Sequence, residues 1–347
     1  MSVLFYNEIA SPFIQTKALL HFGKLLELSK SNIITPITCE IDLTDGFCNN
    51  KCSHCFFSTN NKNEPILMPK VHAIALISEL SKLGVRGIEF SGGGEPLTHP
   101  ECEEIIQSGL DNNLDIGLVS NGLLLDRIIG ISGKLTFIRV SLDAANSQTY
   151  KMIHGVDSFN RVINNIMEIV DKHGGNNIGI GYLLLPNNIE DIIPATELAK
   201  KIGVRFIQFR PASLPFDVEK KVWEEAFANV KKATQLATDS FQVFNAGIKW
   251  IHVIHHRHYT QCKTSSLVGV IKANGDIPLC VLNRNEESKI IGNFIKEKGF
   301  KNVWFSKKHT DLINFIDINM CRRPCKHDSY NIVYEAVIND YIHCNFL

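Results

Sequence analysis

From Ile37 to Arg210, short apolar runs alternate with longer amphipathic stretches, and this alternation narrows the fold more than any other feature of the chain. The runs are ITCEIDL, VRGIEFS, LDIGLVS, LTFIRVS, NIGIGYLLL and VRFIQFR. The stretches between them, such as VHAIALISELSKLG and RVINNIMEIVDKHG, space Ile, Leu and Val at helical intervals. Several end at Gly or Asn, as helices tend to. Strand and helix repeated in this way predict an α/β fold with a parallel sheet. No GxGxxG follows the first strand, and its loop carries cysteines instead. The expected architecture is therefore a partial (β/α)6 TIM-like barrel with chemistry at the C-terminal strand ends.

The alternation stops after VWEEAFANVKKATQLATDS. Residues 36–239 are assigned to the barrel and 240–347 to a small, cysteine-bearing C-terminal α+β domain. Residues 1–35 form an N-terminal extension, helical in part (FIQTKALLHFGKLLELSK).

Charge gives no sign of a nucleic-acid partner: 36 basic side chains balance 36 acidic ones. No apolar run reaches the roughly 18 residues a membrane span needs. The opening MSVLFYNEIASPF lacks the pattern of a secretory signal, so a cytoplasmic location is expected. Thiols stay reduced there, and the ten cysteines call for an explanation other than disulfides.

Cys48, Cys52 and Cys55 form a C-x3-C-x2-C cluster after the first strand. Three close thiolates can hold three corners of a four-iron cluster and leave the fourth iron open. A structural zinc loop is the alternative, but it needs a fourth ligand. His54 is at hand, yet its adjacency to Cys55 makes joint ligation strained.

The spacing resembles that of the radical S-adenosylmethionine (SAM) superfamily, and the match extends beyond the cysteines. Ser91-Gly92-Gly93-Gly94-Glu95-Pro96 matches the family's GGEP element at the end of its second strand. Val119-Ser120-Asn121-Gly122 and Val140-Ser141-Leu142-Asp143 match its third and fourth strand ends, and Gln208-Phe209-Arg210-Pro211 its sixth. The resemblance implies that Gly92, Gly93, Gly94, Glu95, Ser120, Asn121, Ser141, Asp143, Gln208 and Arg210 surround SAM. Glycines would let the backbone approach the cofactor, and Glu95 would accept its ammonium. One departure is His54, where the family usually has an aromatic residue; Phe56 and Phe57 follow instead.

In the C-terminal third, Cys262 and Cys280 are expected to flank a hairpin turning at Asn274-Gly275-Asp276, with Cys321 and Cys325 as a second pair. These four cysteines resemble the twitch domain, a shortened relative of the SPASM domain, and imply a second [4Fe–4S] cluster. Zinc is again the alternative, and His255, His256, His258 and His327 lie nearby.

The resemblance implies reductive cleavage of SAM to a 5′-deoxyadenosyl radical, which takes a hydrogen atom from the substrate. An external donor such as flavodoxin or ferredoxin would supply the electron. A filled second cluster favours oxidation of a sugar-like or other small molecule, because 35 residues are few for the separate peptide-recognition domain of many peptide-modifying relatives. Peptide crosslinking or epimerisation is the other enzymatic reading. Epimerisation would need a hydrogen-donating thiol, for which Cys344 is the candidate. A zinc protein without catalysis is the reading from a different class.

Overall fold

The computed structural model describes residues 15–55, 64–212, 220–245, 257, 259–321 and 325–339. Its centre is a parallel sheet in which the six expected strands stand side by side in sequence order. They are β1 (Thr38–Ile41), β4 (Gly87–Phe90), β5 (Asp115–Ser120), β6 (Phe137–Ser141), β7 (Ile178–Leu184) and β8 (Phe206–Pro211). A two-stranded ribbon of β2 (Thr44–Asp45) and β3 (Ile66–Leu67) stands at the edge of the loop after β1.

Two further strands extend the sheet to eight, in an open arrangement rather than a closed barrel. β9 (Gln242–Asn245) pairs with β8, and β10 (Val268–Ile271) pairs with β1. β10 corrects the expected hairpin. The turn at Asn274-Gly275-Asp276 does form, with Gly275 at φ 88°. However, the strand before it joins the large sheet, and β11 (Asp276–Pro278) pairs antiparallel with β12 (Ile290–Asn293). The reason lies in the segment VGVI, which is buried at every position. A strand apolar on both faces belongs inside a parallel sheet rather than in an exposed ribbon.

Alternation along each strand separates two faces. Ile88, Phe90, Ile116, Leu118, Ile138, Val140, Ile207 and Phe209 are fully buried or nearly so. This face meets the helices: a Cβ on Gly109 in α3 (Cys102–Asp111) would stand 2.5 Å from Ile116 Cδ1. The alternate positions face the inside of the sheet and include Glu40, Glu89, Gly117, Arg139 and Gln208. The helices on the outer face include α2 (Lys70–Leu83), stopped by Gly84 in the left-handed conformation, and α4 (Ser147–His154), capped by Asn146 at its start and left-handed Gly155 at its end.

The N-terminal extension is helical as expected and includes α1 (Phe22–Lys30). Its Leu25 and Leu28 pack in one cluster with Leu267 and with Tyr334 of α10 (Lys326–Ile338). Among the described residues, no helix is long and apolar enough to cross a membrane.

Candidate active site and auxiliary cysteine pocket

The GGGEP turn and the cysteine loop are built against each other. Gly46 N–H donates to Gly93 O at 3.0 Å, and Glu95 N–H to Phe47 O at 2.7 Å. A Cβ on Gly93 would lie 2.2 Å from Thr44 O, and one on Gly94 2.1 Å from Phe47 O. Gly93 also holds φ 68°, which only glycine adopts cheaply. The glycines are thus required first by the cysteine loop itself. Gly93→Ala should cost about 1–3 kcal/mol from its φ alone, with the clash adding to it. SAM binding should weaken at least tenfold. Gly130→Ala is the control, since its Cβ would meet nothing nearer than 3.6 Å. Matched melting and binding curves for the two variants would show the packing argument to be wrong.

Glu95 is buried, and its carboxylate already accepts three hydrogen bonds. Ser120 Oγ and Leu97 N–H donate to Oε1 at 2.8 and 3.1 Å, and Asn121 N–H to Oε2 at 2.7 Å. Burial pushes its pKa up to about 6, against the pull of those donors. Glu95 therefore ties β4 to the end of β5. Asn121 continues the chain of contacts: its Nδ2 donates to Asn49 Oδ1 at 2.5 Å and lies 3.8 Å from Cys48 Sγ.

Cys48, Cys52 and Cys55 occupy one loop, and its middle is fastened to the end of α4. Lys51 N–H donates to His154 O at 2.8 Å. His154, which the sequence reading did not single out, is 2 % exposed, and burial holds its pKa down at about 4. Its Nε2 sits 3.0 Å from Leu142 O, and a carbonyl can only accept, so Nε2 carries the proton. Nδ1 then faces Cys52 Sγ at 3.1 Å and Asn50 Nδ2 at 3.4 Å as an acceptor. Cys48 reaches the surface, but desolvation by the loop around its thiol raises its pKa to about 11, and desolvation raises that of the half-buried Cys52 further.

Asp143 sits at φ 54°, and its Oδ1 accepts from Leu183 N–H at 2.6 Å. Ser141 is half-buried at the end of β6. Gln208 and Arg210 lie on the inner face of β8, two strands beyond β6.

The second cysteine group converges. Cys262, Cys280, Cys321 and Cys325 line one pocket with Leu279, Ile318 and His327. Burial raises all four thiol pKa values, that of Cys280 to about 12. Loading such a donor set with metal releases protons. His327 is buried, with Nδ1 unpartnered. His255, His256, His258 and Cys344 lie outside the described residues. Among the described residues, no three Cys, His, Asp or Glu side chains are gathered closely enough to hold a metal ion.

Two ion pairs, one buried and one half-buried, join this pocket to the sheet, and no local sequence pattern marks either because they link distant segments. Arg284, four residues after Cys280, pairs with Asp42, whose side chain lies beside Gly93. Lys326, next to Cys325, pairs with Glu40 of β1.

Family comparison decides what this arrangement is. The family model of the radical SAM superfamily matches residues 44–199, and that of the SPASM iron–sulfur cluster-binding domain matches residues 262–326. The chain therefore carries a radical SAM domain followed by a SPASM iron–sulfur cluster-binding domain. The radical SAM domain brings the SAM-binding [4Fe–4S] cluster and the SPASM domain an auxiliary cluster. The cysteines that would hold them are three on one glycine-braced loop and four that line one pocket.

The chain is similar to mycofactocin maturase MftC of Mycobacterium tuberculosis, with 23% identity over 81% of this chain and 73% of that protein. It is 31% identical to a probable GTP 3′,8-cyclase of Methanocaldococcus jannaschii over 47% of this chain. That match spans 56% of the cyclase, little more than half its length. Among solved structures, Streptococcus suis SuiB bound to S-adenosylmethionine superposes with a TM-score of 0.67 at 17% identity, covering 84% of this chain and 71% of SuiB. The radical SAM fold is common to both.

Proposed function

We propose that this radical SAM enzyme oxidises a peptide. The observation that carries the reading is the match to the maturase MftC, which runs over 81% of the chain. Support comes from SuiB, which has also been solved bound to its precursor peptide SuiA. The short N-terminal extension by itself favours a sugar-like substrate. The maturase match outweighs that argument, since it rests on the shared domains themselves.

Cys48, Cys52 and Cys55 hold the first cluster in this reading, and Cys262, Cys280, Cys321 and Cys325 the auxiliary one. Gly92, Gly93, Gly94, Glu95, Ser120, Asn121, Ser141 and Asp143 surround SAM. When bound, these groups supply a 5′-deoxyadenosyl radical that removes a substrate hydrogen atom, and the auxiliary cluster suits net oxidation. The protein's part is positioning and exclusion of water. Glu95 and the glycines fix the cofactor loop, and the Glu40–Lys326 and Asp42–Arg284 pairs hold the auxiliary pocket against the sheet. The reductant in this reading is a flavodoxin or ferredoxin in a reducing cytoplasm.

The test is incubation of reconstituted enzyme with SAM, dithionite and a synthetic peptide library. A peptide that loses the mass of two hydrogens, with matching 5′-deoxyadenosine, is the expected result. Turnover only with sugars or nucleotides would replace the peptide reading. Deuterium uptake from solvent without mass loss in ordinary water would replace oxidation by epimerisation.

A further inference from the structure

The inner face of β7 carries glycine where its neighbours carry long side chains. A Cβ on Gly179 would meet the Phe206 ring at 2.5 Å, and one on Gly181 would stand 3.3 Å from Cγ and Cδ of Arg139. Arg139 therefore leans from β6 across β7, and its Nη1 lies 3.5 Å from Gln208 Oε1 on β8. Arg210 follows two residues along β8, on the same face. The Nε of each arginine is buried without a hydrogen-bond partner. Neither forms an ion pair among the described residues. Arg139 repels Arg210, while Asp143 and Glu89 attract it. Both arginines are half-buried, and holding two neighbouring guanidinium groups partly out of water is costly unless a counter-charge is provided.

We propose that Arg139 and Arg210 form a subsite for a carboxylate of the substrate. The planar forks of two guanidinium groups match a carboxylate's two oxygens. The fields of Asp143 and Glu89 offset part of the positive charge, which favours a singly charged carboxylate over a doubly charged phosphate. The sequence reading placed Arg210 on the cofactor, and SAM carries a carboxylate of its own. Position favours the substrate: the cysteine loop is braced on β4, β5 and α4, whereas the arginine pair lies across β6 to β8. Resting on the peptide reading, the subsite selects an Asp or Glu side chain or a C-terminus.

The experiment is calorimetry on reconstituted enzyme with SAM saturating. The probes are N-acetylglutamate methylamide and its glutamine counterpart. The glutamate probe should bind at least tenfold more tightly. Arg139→Gln and Arg210→Gln should each remove that preference, Arg139→Lys should keep part of it, and SAM binding should change less than twofold. Equal binding of the two probes overturns the subsite. So does competition between the glutamate probe and SAM, together with tenfold weaker SAM binding in the variants, which would hand the arginines to the cofactor. If Arg139→Gln does not fold, Arg210→Gln and Arg139→Lys carry the same comparison. No turnover is needed, so a failed peptide assay and a failed probe comparison are separate results.

Discussion

Cys48→Ala, Cys52→Ala and Cys55→Ala each reduce 5′-deoxyadenosine formation to background. In the proposed reading each change removes one corner ligand of the SAM-binding cluster, and the nearest core thiols among the described residues are not placed to stand in. Cys39 and Cys102 are fully buried in the hydrophobic core. Cys39 Sγ packs against Gly269 of β10, at 2.9 Å from where a Cβ would stand. Cys102 opens α3 and belongs to the same core. Cys102→Ala therefore leaves cofactor cleavage in place and serves as the control. The variants at Cys48, Cys52 and Cys55 should keep the iron of the auxiliary site, so their loss of cleavage is separable from unfolding. Normal 5′-deoxyadenosine in any of the three would remove that cysteine from the ligand set.

The double change Cys262→Ala and Cys280→Ala divides the activity. Iron should fall to about half, since one of two four-iron clusters is lost. Cofactor cleavage should persist, while conversion of the peptide stops. Two of the four thiols lining the pocket are removed, but the cysteine loop and its brace from Glu95 are untouched. Measuring iron, 5′-deoxyadenosine and product on one preparation separates the outcomes. Full product from the double variant would contradict an oxidative role for the pocket. Epimerisation would then be the better reading, and Cys344 the thiol to change next.

The central sheet was legible because its signal is local and periodic. Each run that alternates toward helices, such as VRGIEFS or LTFIRVS, contains an observed strand. The cysteine loop and the GGGEP turn, which pack against each other, stand out in the sequence for the same reason: each motif is written in a short stretch of chain. β10 was misassigned because VGVI lies beside a turn signal, and a short apolar run does not say which strand it joins. Arg284 and Asp42 are 242 positions apart, and no local pattern announces such a pair. His154 shows a third kind of omission. It closes an amphipathic helix as an ordinary last-turn histidine, and only the fold brings its Nδ1 within 3.1 Å of Cys52. The same holds for Arg139, whose reach across β7 depends on Gly181 in another strand.

Anaerobic reconstitution with iron and sulfide, followed by quantification of bound metal and of 5′-deoxyadenosine formed from SAM under dithionite, tests the account most directly. The account predicts about eight irons per chain, with 5′-deoxyadenosine and methionine in equal amounts. A chain that retains zinc in place of iron and forms no 5′-deoxyadenosine would contradict it.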